Sequence, residues 1–183
     1  MMHPHNFQWA VQEINIPEWQ TQPVDGGGAV FSDCGLYRYR LWRIWNPDLP
    51  PVFWLMHNPS TAGYTANDPT LRRCINFTKS WGYGGLYVGN LFPYRATNPA
   101  ALYGKTLALL IPPCNQAHLE QMAWLCTLHI AAFGNPVMPA PVPQLPGVRW
   151  YCLKTTKTNN PCHPLYVHGS ETPKLFTPEL TQV

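Results

Sequence analysis

The residues best suited to chemistry follow an abrupt stop in an apolar run. "LMHNPSTAGYTANDPTLRRC" (55–74) delivers His57, Asn58 and Ser60 straight after Leu55-Met56, then reaches Asp68 and a pair of arginines. A carboxamide such as Asn58 offers a donor and an acceptor together. Asp68 is the one carboxylate in a candidate site loop, so any general base must be sought there. Asn90 closes a second apolar run, where its amide matches the edge of a nucleobase, and Phe92 and Tyr94 beyond it are aromatic enough to stack on one. His163 follows a fourth run and shares the predicted rim with the two asparagines. Each residue also has a plainer role. Asn58-Pro59 makes a rigid turn, Asp68 caps a helix, Asn90 caps a turn, the aromatics fill a core, and a lone histidine is a hydrogen-bonded structural group.

The elements that must position these residues are legible from patterning. "LYRYRLWRIW" (36–45) alternates apolar with basic, as a half-exposed strand does. "PVFWLMH" (51–57), "LYVGN" (86–90), "LHIAAFG" (128–134) and "VRWYCLK" (148–154) are short continuous apolar runs, the signature of strands covered on both faces. "PTLRRCINFTKSW" (69–81) is a helix that buries Leu71, Cys74, Ile75 and Thr78, with Asp68 as N-cap and Pro69 at its first position. Residues 114–127 form a second helix. The order predicts a three-layer α/β domain: a central, mostly parallel four-stranded sheet flanked by helices, plus an N-terminal antiparallel strand. Strands 51–57, 86–90, 128–133 and 148–153 are expected to be neighbours, with loops 57–68, 90–98 and 155–166 at their carboxyl ends, where ligands collect. Residues 1–35, including "QPVDGGGAV", read as a flexible N-terminal extension, 36–169 as the domain and 170–183 as a tail.

Composition narrows the function classes. The chain has 183 residues, 45% of them apolar, only 11% charged, with 21 prolines, eight tryptophans and nine tyrosines. That is one ordered domain and not a solvated tail. A net charge of +3 permits contact with nucleic acid without demanding it. Six cysteines lack any C-x-x-C pair or accompanying histidine cluster, so neither a metal site nor a cofactor is expected, and the thiols read as reduced and mostly buried. "MMHPHNFQWA" has no secretion-signal pattern and no run is long enough to span a membrane. The expectation is a cytoplasmic monomer that does not contact membranes.

"YRYRLWRIW", "MHNPSTA", "DPTLRRC", "WGYGGLYVGNLFPYRAT" and "HPLYV" resemble the bacterial and phage domain-of-unknown-function family numbered 1643, over about residues 33–168. The order of motifs is also distantly similar to the uracil-DNA glycosylase superfamily. "MHNPS" resembles that superfamily's G-x-N-P-G turn, with Met56 and Ser60 in place of glycines, "VGNLFP" its second-strand motif, "IAAFGNP" its third-strand segment and "CHPLYV" its final H-P-S-P-L loop. The resemblance implies that Asn58 positions the attacking water and Asn90 recognises the base. It implies that His163 stabilises the departing base and that Leu165 or Tyr166 fills the vacated stack. Phe92 or Tyr64 is its candidate aromatic platform, with His57 beside the base.

The leading expectation is therefore a base N-glycosylase, acting on DNA ahead of RNA or on a nucleotide. Ser60, Arg72, Arg73, Arg95, Lys154 and Lys157 are its candidate nucleic-acid contacts, although a divided pair, with one arginine solvated and the other tied to Asp68, explains Arg72 and Arg73 equally. A non-catalytic base-binding module and an interaction protein on the same fold are the alternatives.

Overall fold

A computed structural model describes residues 26–60 and 67–178. Most of the expected N-terminal extension, Tyr64 and the last residues of the tail lie outside the described residues. The strands are β1 (Gly27–Phe31), β2 (Arg38–Ile44), β3 (Pro51–Met56), β4 (Gly85–Asn90), β5 (Leu128–Ala131), β6 (Trp150–Cys152) and β7 (Lys174–Leu175). The helices are α1 (Pro69–Ser80), the single turn α2 (Leu107–Leu110) and α3 (Cys114–Trp124).

One mixed sheet of seven strands, in the order β1-β2-β4-β3-β5-β6-β7, runs through the fold. Its middle is parallel: β4 pairs with β3, β3 with β5 and β5 with β6. The outer strands β1, β2 and β7 run antiparallel to their neighbours. Val52, Phe53, Trp54 and Leu55 are all fully buried, so β3 has no solvent face, as a central parallel strand requires. Alternate residues feed two cores. Val52, Trp54 and Met56 pack with Leu71, Cys74 and Phe77 of α1, while Phe53 and Leu55 pack with Leu119 and Met122 of α3. Helices thus cover both faces, one layer on each side.

The sheet extends past the sequence-drawn edges at both ends. "GGAVF", read as part of a flexible loop, forms β1, because the Trp42 indole of β2 occupies the space any Cβ at Gly28 would need. Only a glycine lets the two strands pair beneath that ring. At the other edge β7 joins β6, anchored by the buried Phe176. Of the cysteines, Cys74, Cys126 and Cys152 are buried, whereas Cys34 and Cys114 are exposed, so the thiols are less uniformly buried than composition implied.

A register shift interrupts the pairing of β1 with β2. Val30 faces Arg40 and Phe31 faces Arg38, which leaves Tyr39 as an extra residue, a β-bulge. Tyr39 and Arg40 consequently turn to the same side. Tyr39 stacks on His118 of α3 at 4.5 Å, and Arg40 Nε donates to His118 Nδ1 at 2.7 Å. Burial, with the Arg40 charge beside it, lowers the His118 pKa to about 4. The fold therefore holds His118 neutral, and the unfolded chain takes up its proton first. Its contribution is complete above pH 6.5 and is lost as pH falls from 6.5 towards 4. His118→Gln keeps an acceptor for Arg40 without a titrating ring. Urea midpoints measured against pH should therefore show a shallower acid loss in this variant; burial shifts His57 and His163 the same way, so some slope persists.

Candidate active site

The chain leaves β3, forms α1 and returns as β4 on one side of β3; it then crosses to the other side as β5. Strand order therefore reverses between the carboxyl ends of β3 and β5, and crevices open at such points. A cleft of about 370 Å³ lies there. His57, Asn58 and Ser60 from the β3 end, Asp68 from the start of α1, Asn90 from β4, Phe133 to Asn135 beyond β5, and His163 and Tyr166 all line it.

The β3 exit is held by a hydrogen-bonded chain. The Val137 N–H donates to His57 Nε2 at 3.2 Å, so the ring proton sits on Nδ1 and is donated to Asn58 Oδ1 at 2.7 Å. Burial lowers the His57 pKa, and the Asn58 contact opposes it. Asn58 Nδ2 donates to the carbonyls of Ala96, at 2.8 Å, and Pro59. Asn58 thereby pins two loops together and keeps one lone pair of Oδ1 for a ligand or water. His57, expected beside a base, has both ring nitrogens engaged and acts as a positioning residue.

Asp68 is the N-cap of α1, as patterning anticipated. Its Oδ1 accepts from the Leu71 N–H at 2.7 Å and its Oδ2 from Ser60 Oγ at 3.2 Å. His163 caps the Pro164–Tyr166 3-10 turn, its Nδ1 accepting from the Leu165 N–H at 3.4 Å, which leaves Nε2–H as the donor. Burial lowers its pKa, the Asp68 charge opposes that and His57 adds to it. Gly134, at φ +70°, turns the chain beyond β5 towards this loop and donates its N–H to Pro161 O at 2.7 Å.

Asn90 is 1% exposed, and neither its Nδ2 nor its Oδ1 has a partner. Arg38 is also in the wall, 7% exposed, with Nε unpartnered. Burial lowers its pKa to about 10, with the Asp68 charge opposing the fall, so it stays cationic at neutral pH. Sequence alternation placed Arg38 on the same face as Arg40. The bulge at Tyr39 reverses that and sets Arg38 beside Leu41 in the cleft.

Other candidates fall elsewhere. Phe92 is fully buried, its ring edge-to-face with His57, and cannot stack on a ligand. Tyr94 packs against Tyr37 and Lys105, outside the cleft; Phe133 and Tyr166 supply its aromatic surface. Arg72 donates to Asn67 O, so neither arginine of the pair is tied to Asp68; Arg73 donates to Val167 O and Pro164 O and lies over Phe77. Arg95 donates to Gly35 O and lies over Phe31. These three arginines bond carbonyls of the chain itself and lie outside the cleft lining. Lys154, Lys157 and Leu165 are exposed and outside the cleft lining. Among the described residues no three His, Cys, Asp or Glu groups gather as a metal ion would require.

The profile of a family described as "Protein of unknown function (DUF1643)" matches residues 38–165. The chain belongs to that family. No curated protein and no solved structure matches it. The DUF1643 match begins at Arg38 and ends at Leu165, so it spans every described cleft residue named above except Tyr166. No helix among the described residues of this DUF1643 protein is long and apolar enough to cross a membrane.

A buried carboxamide with both ends unpaired costs stability that an apolar residue recovers. Asn90→Val should raise the urea midpoint by an amount worth about 1–3 kcal/mol. A structural Asn90 would lower it instead.

Proposed function

We propose that this protein is a nucleobase N-glycosylase, hydrolysing the bond between a base and its sugar in a nucleic acid, DNA ahead of RNA, or in a nucleotide. The observation that carries the reading is Asn90: an unpaired donor and an unpaired acceptor, side by side and buried, lining a cleft of about 370 Å³. A planar amide-like edge satisfies both at once, and base edges are of that kind. Further support comes from Asn58, Asp68 and His163 lining the same cleft, on loops at one edge of the parallel strands. The motif order that resembles the uracil-DNA glycosylase superfamily assigns three of these four positions the same tasks.

Asn90 pairs with the base edge, and Phe133 offers an apolar wall. Water is held by the free lone pair of Asn58 Oδ1. The carbon–nitrogen bond breaks with both electrons leaving on the base, the water oxygen bonds to the sugar carbon, and the water proton passes to the Asp68 carboxylate. Nε2–H of His163 donates to the base anion as its charge grows. The neutral state that burial favours at His163 suits a donor of this kind.

A base-binding module without catalysis is the second reading. It is favoured by the engagement of both Asp68 oxygens, with the Leu71 N–H and with Ser60.

Duplexes carrying uracil, a thymine mismatch or 5-hydroxymethyluracil, treated with alkali after incubation, should break at the modified site, and deoxynucleotides should release free base. Asp68→Asn keeps a capping oxygen for α1 but loses the base, and should slow release by about 10²–10⁴-fold. Retention of a substrate without release supports the binding module. Neither binding nor release from any of them overturns both readings.

A further inference from the structure

Arg38 is the group that the proposed reaction leaves unused. Its guanidinium is nine-tenths buried and its Nε has no partner. No ion pair joins it to Asp68, whose oxygens are held by Leu71 and Ser60. Arg95 and Arg43 add further positive charge around it, and among the described residues Asp68 is the carboxylate whose charge opposes them. An isolated buried cation is costly to a fold and calls for an anion, and guanidinium favours oxyanions because it can donate two parallel hydrogen bonds. The β-bulge at Tyr39 aims it into the cleft wall together with Asn90, which comes from the neighbouring strand β4.

We propose that the cleft takes a small anionic ligand, one that sets an oxyanion against Arg38 while Asn90 reads an amide-like edge. The inference rests on the base-binding reading of Asn90 and narrows it to a nucleotide phosphate or a carboxylate carried on the base. The internal engagement of Arg72, Arg73 and Arg95 points the same way: these guanidinium groups bond carbonyls of the chain itself, and Arg38 is the arginine that lines the cleft.

The test is calorimetric titration of the full chain with deoxyuridine, deoxyuridine monophosphate, uracil, 5-carboxyuracil and inorganic phosphate. In the parent, at least one anionic compound should bind about tenfold or more tightly than its neutral counterpart, the scale of one charge-assisted hydrogen bond. Arg38→Met and Arg38→Gln, with folding checked by urea denaturation, should abolish that gap and leave the neutral compounds unchanged. Preference for the monophosphate alone identifies the phosphate as the anion, and preference for 5-carboxyuracil alone identifies the carboxylate. Equal binding of neutral and charged compounds by the parent overturns the inference while leaving a base pocket in place, and needs no variant. Persistence of the gap in both variants overturns it as well. Arg38-dependent binding of phosphate with no binding of any base keeps the anion site and removes the base reading. No binding of any compound removes both.

Discussion

The position of β3, paired in parallel on both sides, is the constraint on which the cleft depends. Met56 lies opposite Asn90 in β4, and Leu55 lies opposite Ala131 in β5. Parallel neighbours release their chains at the same edge, so three loops must begin within a few ångströms of each other. Their backbone groups then need partners. The N–H groups of Leu91 and Phe92 donate to the carbonyls of Met56 and His57, and that of Ala132 donates to Leu55. The Asn58 side chain supplies the next link, to Ala96 and Pro59. The polar residues at this edge thus complete the sheet's hydrogen bonding first, and chemistry falls to those left over. Asn90 and Arg38, both in the cleft wall, carry buried polar atoms without partners.

The parallel core was legible because its strands are uninterrupted apolar runs, a pattern that only burial on both faces explains. The N-cap at Asp68 was legible for a local reason as well, since Pro69 and the apolar spacing beyond it mark a helix start. β1 was not, because glycine in a strand is a signal of loops unless one knows that a tryptophan will lie across it. Phe92 was misplaced since an aromatic next to a site looks alike in sequence whether it fills the core or faces a ligand. The carbonyl partners of Arg72, Arg73 and Arg95 were not legible, because carbonyl oxygens attract guanidinium groups as phosphates do, and a sequence does not display where carbonyls end up.

Charge has little part in holding this molecule together. The ion pair of Lys174 in β7 with Glu171 is exposed at the sheet edge, and pairs of that kind contribute little. Stability comes from two apolar layers, one under each group of helices. Against that background a buried arginine, a capping aspartate and two histidines held neutral by burial form an electrostatically distinct region, where each charge is weakly screened by solvent.

The bulge at Tyr39 makes the direction of Arg38 a matter of parity. Along a strand, side chains alternate faces by count, so one extra residue exchanges the two faces for everything beyond it. A different side chain at position 39 leaves that count alone, whereas removing the residue would turn the guanidinium towards α3. The cleft is therefore tolerant of changes in letters at this point and intolerant of a change in length. Its cation is written into the spacing of β2 as much as into the identity of the arginine.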